Sequence, residues 1–293
     1  MTKTTDSKLL AMELVLITGL SGSGKSVALA VLADAGYYCV DNFPGKLFNQ
    51  LVDALAASGQ QRVALTMDAR SGDDMADFAT HMESLRARGA RFKMLYFEAK
   101  DDTLIKRFSE TRRRHPLSDE RLTLEECIAR ERDLLAGAAA LADRIDTSDL
   151  SPNVLRGWVK DFIAAPRDGL ILLFESFGFK YGIPLDADLV FDVRSLPNPH
   201  YDPVLRPLTG LDDAVIDFMK ATPEAQRLLE DIRKFVATWL PSFVRDNRSY
   251  LTVAIGCTGG RHRSVYFVES LAQSFRASAQ VLARHRALSQ RAE

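Results

Sequence analysis

Cysteine is scarce in this chain: Cys39, Cys127 and Cys257 are the only three in 293 residues, odd in number and far apart. That excludes a disulfide-framed secreted scaffold and points to a reducing, cytoplasmic setting. No apolar run approaches the length of a membrane span, which argues against a membrane partner. The short run from Leu9 to Ile17 is interrupted by Glu13 and lacks a small-residue cleavage pattern, so it does not read as a signal peptide. Net charge is nearly absent too, at −1, although its distribution is uneven. From Leu251 onward six arginines (Arg261, Arg263, Arg276, Arg284, Arg286, Arg291) face two acids, Glu269 and Glu293. A neutral protein with a basic end suggests a local anionic partner rather than attraction to nucleic acid over the whole surface. No internal repeat of fixed period is present.

What is there is ordinary globular composition, 46% hydrophobic and 26% charged, in a chain long enough for two domains. Residues 1–11 read as a flexible terminus. Short β-rich runs, ELVLIT (13–18), YYCV (37–40), RVALTM (62–67) and RFKMLYFE (91–98), then alternate with helix-periodic segments Lys25–Ala35, Lys46–Ala57 and Asp73–Arg88. Gly36 and Gly89 stand where helix C-caps fall. Further helices are predicted at 101–113, 123–142 and 152–164. The pattern implies an N-terminal doubly wound α/β domain with a parallel sheet, over residues 12–165. AAPRDG (164–169) reads as the boundary. A second, smaller α/β domain follows over 170–293, with strands at 170–178 and 188–194 and helices from Asp212 to about Trp239. YLTVAIGC then enters another Gly-rich loop and helix.

GLSGSGKS, Gly19 to Ser26, fits the P-loop pattern G-x-x-x-x-G-K-[ST], after a strand and before a helix. Glycines let the backbone N–H groups of Gly19, Leu20, Ser21, Gly22, Ser23 and Gly24 curl around a polyphosphate, and the helix N-terminus adds its positive dipole end. Lys25 supplies a cation for the β and γ oxygens and the Ser26 hydroxyl a ligand for Mg²⁺. Strand-ending Asp41, Asp68 and Glu98 are candidate acids for the metal, or helix caps. Arg112, Arg113 and Arg114 form either a phosphate lid or a basic turn.

In the second loop, GCTGGRHRS (256–264), Cys257 and Arg263 have the Cys-x5-Arg spacing of cysteine-dependent phosphatases, followed by Ser264. The histidine that commonly precedes such a cysteine is Gly256 here, so phosphate binding is the expectation rather than nucleophilic use. His262 and His200 add polar groups. The tail arginines, Arg276, Arg284, Arg286 and Arg291, could contact RNA phosphates, although no aromatic residue there offers base stacking. A kinase of the shikimate or nucleoside type also suits the first loop and the VDN that follows strand two.

GLSGSGKSVAL, GYYCVDNFP, DTSDLS, FESFGFKYGIPLDADLVFDVRSLPNPHYDPVLRPLTG and NRSYLTVAIGCTGGRHRSVYF together resemble the RapZ/YvcJ family of P-loop nucleotide-binding proteins, over nearly the whole chain. The resemblance implies a kinase-like N-terminal domain with weak ATPase and GTPase activity and a regulatory role. By the same resemblance, ATP would be bound by Gly19–Ser26. GTP would be bound by Asp68, Ala69, Arg70 and Ser71. A phosphosugar-like ligand would be held by His200, Cys257, Thr258, Gly259, Gly260, His262 and Arg263. Small RNA, an RNase and self-association are further implied partners. The tail departs from the enteric members in lacking lysine.

Overall fold

In the computed structural model of the chain, the described residues are 9–10, 12–68, 78–90, 92–119, 121–164, 170–245 and 250–289. The chain divides into two compact units, Met1–Ser148 with Pro152–Arg167 and Asp149–Ser151 with Asp168–Glu293. Most of the expected N-terminal helical start at 73–77, most of the flexible terminus and most of the 164–169 boundary lie outside the described residues.

The first unit carries β1 (Glu13–Gly19), α1 (Lys25–Asp34), β2 (Tyr38–Val40), α2 (Phe48–Ala57), β3 (Arg62–Thr66), α3 (Phe78–Ala87) and β4 (Phe92–Glu98). It continues with α4 (Asp101–Thr111), α5 (Leu124–Leu141), β5 (Asp143–Asp146) and α6 (Pro152–Ala164). The five strands form a sheet in the order β2-β3-β1-β4-β5, with every pairing parallel. Strand β1 is central and buried from Leu14 to Gly19, which is why ELVLITG reads as an unbroken apolar run rather than an alternating one. Its neighbours register Ile17 on Thr66 and Gly19 on Phe97. The loop leaving β1 therefore emerges at the carboxyl edge of the sheet, where ligands of doubly wound sheets bind. The strand β5 has no counterpart in the sequence reading. Its four residues, DRID, carry too little periodicity, and pairing with β4 makes them a strand.

The second unit carries β6 (Ile171–Gly178), β7 (Leu189–Asp192), α7 (Asp213–Lys220), α8 (Pro223–Arg245), β8 (Tyr250–Cys257), α9 (Arg263–Phe275), β9 (Gln280–His285) and the single turn α10 (Arg286–Ser289). Its sheet has the order β7-β8-β6-β9, again with parallel pairings. Both central strands are fully buried beyond their first residue. The helices expected from Asp212 to about Trp239 are two, separated at Ala221–Thr222, and the second runs on to Arg245. Gln280–His285, read as part of a basic tail, is the edge strand β9. None of the described helices is long and apolar enough to cross a membrane.

Candidate functional site

The first loop is shaped by three glycines at positive φ, Gly19 (+131°), Gly22 (+81°) and Gly24 (+105°). At Gly19 a Cβ would meet the Phe97 carbonyl oxygen at 2.0 Å, and at Gly24 the Leu155 side chain at 2.6 Å. Neither position admits another residue without displacement. Gly24 is the N-cap of α1 and supplies no side-chain cap, and the first turn of α1 holds no acidic residue. The helix start therefore has no side-chain cap from its N-cap residue and no carboxylate in its first turn, and its positive dipole end suits an anion.

Around these amides the loop is anchored by side chains from distant segments. The Ser21 N–H and hydroxyl both donate to the Glu131 carboxylate of α5, at 2.8 and 2.7 Å. Arg107 of α4 donates to the Gly22 carbonyl at 3.0 Å and to the Thr147 carbonyl at 2.6 Å. The Thr147 hydroxyl reaches the Ser23 carbonyl at 2.8 Å. The Lys25 ammonium donates to the Gly19 carbonyl. None of Arg107, His115, Glu131 and Thr147 was visible from the first-loop motif.

The three strand-end acids differ in their surroundings. Glu98 is buried and engaged by Arg144 in a two-pronged pair at 2.7 and 2.8 Å, with Arg132 at 3.7 Å. Two guanidinium groups already engage it, which favours Asp41 and Asp68 over Glu98 as the acid that faces a metal. Asp41 accepts from the Thr66 hydroxyl, and Asp68 is buried two residues beyond β3. Ala69, Arg70 and Ser71, the rest of the GTP segment, lie outside the described residues. Arg112, Arg113 and Arg114 are exposed, immediately before the buried His115. Among the described residues no group of three or more His, Cys, Asp or Glu could hold a metal by itself. The oxygen donors at the loop, Ser26, Asp41 and Asp68, have the hard-ligand chemistry that magnesium takes when it shares its shell with phosphates.

The second loop leaves β8 at Cys257 and enters α9 at Arg263, whose N-cap, His262, also lacks a side-chain cap hydrogen bond. Gly260, at φ +70°, donates its N–H to the Cys257 sulfur at 3.2 Å, and the Ser264 hydroxyl lies 3.2 Å from the same sulfur. Burial works against a thiolate here. The Ser264 and Gly260 hydrogen bonds and the Arg263 charge outweigh it and hold the thiol below its ordinary range. Arg263 is 3% exposed. One terminal nitrogen donates to the Arg194 and Leu196 carbonyls at 2.9 and 2.7 Å; the other reaches the Thr258 hydroxyl at 3.4 Å. Its Nε is buried without a hydrogen-bond partner.

The sequence-predicted residues Cys257, Thr258, Gly259, Gly260, His262 and Arg263 thus share one loop. His200 stands next to it, its ring 6.3 Å from that of His262. His262 is buried, with Nε2 3.2 Å from the Leu205 carbonyl oxygen. Burial, aided by the Arg261 and His200 charges, pushes this imidazole toward its neutral form. The tail arginines separate. Arg276 is exposed, but Arg284 and Arg286 are buried, and Arg286 approaches Glu175 at 3.5 Å and Asp186 at 3.9 Å. Their burial in the second unit corrects their reading as RNA contacts. Arg291 lies outside the described residues.

Residues 12–167 match the family model of the RapZ-like N-terminal domain, and residues 170–289 that of the RapZ C-terminal domain. The chain is a member of the RapZ family. Relatives include a nucleotide-binding protein of Azoarcus sp. (strain BH72), 61% identical over 283 residues, covering 96% of this chain and 97% of the relative. A nucleotide-binding protein of Thiobacillus denitrificans is 60% identical over 278 residues, covering 95% of this chain and 100% of the relative. A shikimate kinase from Bacteroides thetaiotaomicron aligns with 53% of this chain and 100% of its own, at 16% identity and a TM-score of 0.37. The fold is α/β, one unit built on a five-stranded parallel sheet and the other on a four-stranded parallel sheet.

Proposed function

We propose that this RapZ-family chain binds a magnesium purine triphosphate, ATP or GTP, at Gly19–Ser26 and hydrolyses it slowly, and that Cys257–Arg263 binds a phosphorylated metabolite such as a phosphosugar. One observation carries the first part: a loop bent by three positive-φ glycines delivers uncapped helix amides and a lysine to the same turn. The names of the relatives support it, since they are nucleotide-binding proteins.

In this reading Lys25 exchanges the Gly19 carbonyl for β and γ oxygens of the triphosphate, as a point charge on a flexible stem. Loop amides hold the same oxygens in a preformed geometry, so charge developing in the transition state meets donors already in place. Magnesium, when bound with the nucleotide, neutralises phosphate charge, with Ser26 and Asp41 or Asp68 as its protein oxygens. Slow turnover suits a regulatory rather than a metabolic role. In the second unit, the Arg263 terminal nitrogen on the Thr258 side and the amides following Cys257 supply the donors for a phosphate.

Phosphate release from ATP and GTP, measured with and without sugar or nucleoside acceptors, tests the assignment. Slow release without any acceptor is expected. Acceptor-dependent consumption would instead make the chain a small-molecule kinase. Equilibrium binding of phosphosugars to the Arg263→Ala variant tests the second site, and unchanged binding would remove it. If nucleotide and phosphosugar each bind but neither alters the affinity of the other, the two sites are independent rather than parts of a switch.

A further inference from the structure

Glu131 is fully buried in the interior of α5, a helix fixed at its start by a capping box between Thr123 and Glu126. A buried carboxylate is costly unless its oxygens are matched by donors. Here each oxygen has one from the same loop residue: the Ser21 N–H at 2.8 Å on one, the Ser21 hydroxyl at 2.7 Å on the other. His115 completes the set, with Nε2 at 3.1 Å from the oxygen that takes the Ser21 N–H. The His115 Nδ1 accepts the Leu117 N–H at 3.1 Å. That acceptance leaves Nε2 as the protonated, donating nitrogen. Burial opposes the charge on Glu131, but the His115 hydrogen bond, the Lys25 charge and the two Ser21 donors keep the carboxyl below its ordinary range.

The loop is held from the other side as well. Arg107 fixes the Gly22 carbonyl and Thr147 the Ser23 carbonyl. In a trans peptide the following N–H points opposite to the C=O, so pinning the Ser23 carbonyl to Thr147 turns the Gly24 N–H the other way. Glu131 and Thr147 therefore grip the loop at Ser21 and Ser23, on donors and acceptors of opposite sense. A negative group this close to a phosphate site would by charge alone oppose the ligand. Its geometry instead consumes two donors of a residue ahead of the helix-start amides.

We infer that Glu131, oriented by His115, is the positioning residue of the nucleotide loop, holding Ser21 so that Gly22–Ser26 is curved before a triphosphate arrives. This rests on the nucleotide-loop reading above. The carboxylate is needed rather than an amide because one residue presents two donors, and a glutamine has a single acceptor oxygen. An inward-facing glutamic acid with no role in the loop would leave nucleotide affinity untouched when replaced.

The test uses the full chain, a fluorescent ATP analogue with millimolar magnesium, and thermal unfolding without nucleotide. Glu131→Gln is expected to weaken nucleotide binding by about tenfold or more, through lost preorganisation, in a chain that is still folded at the assay temperature although its unfolding midpoint is lower. Ser21→Ala, which deletes one of the two donors and is mild enough to fold, is expected to weaken it by about threefold. The double variant is expected to be no worse than Glu131→Gln alone, since both act through one contact. Unchanged affinity in a folded Glu131→Gln, or in Ser21→Ala should Glu131→Gln fail to fold, overturns the inference. Tighter binding by Glu131→Gln also overturns it, making the carboxylate an internal competitor of phosphate. Lys25→Ala separates the two levels. If it binds nucleotide like the parent, the loop reading itself has failed. If it loses binding while Glu131→Gln and Ser21→Ala keep theirs, only the positioning role has.

Discussion

Replacing Gly19 by alanine makes the most demanding test of the first loop's backbone. The residue pairs with Phe97 across β1 and β4 and stands at φ +131°, a conformation closed to a side chain. A backbone held there costs alanine about 1–3 kcal/mol. The new methyl would sit 2.0 Å from the Phe97 carbonyl oxygen and 2.5 Å from its nitrogen. Both are main-chain atoms of a central strand and cannot rotate away, so relief requires β1 and β4 to part. Overpacking of this kind costs roughly a further 1–3 kcal/mol. Parting the strands also breaks the bond from the Leu20 N–H to the Phe97 carbonyl, 2.9 Å long, for about 1 kcal/mol more. The sum, roughly 3–7 kcal/mol, is half or more of the stability of an ordinary domain at the lower end of the natural range. Trp158 reports on this unit, being 6% exposed in α6, whereas Trp239 is 51% exposed in α8. A Trp239→Phe background isolates the Trp158 signal for urea titration. The Gly19→Ala transition is expected at much lower urea, or absent because the unit is already open. A loss below about 0.5 kcal/mol, the ordinary range for a surface change, would refute the geometry argued for the loop.

Two other outcomes follow from the second unit. Alkylation of Cys257 by iodoacetamide is expected to persist as pH falls below the range of an ordinary thiol near 8.5, because Ser264, Gly260 and Arg263 outweigh the effect of burial. Inorganic phosphate should protect it, Ser264→Ala should move the reactivity profile to higher pH, and a profile at or above the ordinary thiol range would contradict the assigned environment. Arg286→Ala is expected to destabilise the second unit by about 3–5 kcal/mol, as removing one partner of a buried ion pair does, because it leaves Glu175 and Asp186 without that guanidinium. Chemical denaturation measures this, and a loss under about 0.5 kcal/mol would return Arg286 to the surface role that its burial denies.

Much of the fold and part of the site could be read from local sequence, because local chemistry determines them. A P-loop declares itself within eight residues: its pattern spells out Gly19 and Gly24, whose φ values are +131° and +105°, while Gly22, at +81°, stands at a position the pattern leaves open. Buried parallel strands such as β1 and β6 are legible as unbroken apolar runs. What stayed hidden acts across the chain. Glu131 is 110 residues from Ser21, Arg107 is 85 from Gly22, and Thr147 is 124 from Ser23. Nothing in ARERDLL distinguishes Glu131 from the solvated acids beside it until α5 is packed under the loop. Strand β9 was missed for a related reason: RASAQVLARH carries charge and small residues, and only pairing with β6 makes part of it a strand. With that strand come Arg284 and Arg286, whose basic character misled because burial is not written in residue type.

The account stands on the amides at the start of α1 and the Lys25 ammonium receiving a triphosphate. Isothermal titration of ATP and GTP into the full chain at millimolar magnesium, compared with Lys25→Ala of unchanged unfolding midpoint, measures that directly. Binding by the parent and its loss, by about a hundredfold or more for a desolvated charge-assisted contact, is the predicted result. Equal uptake by parent and variant, or heat from neither, would contradict it.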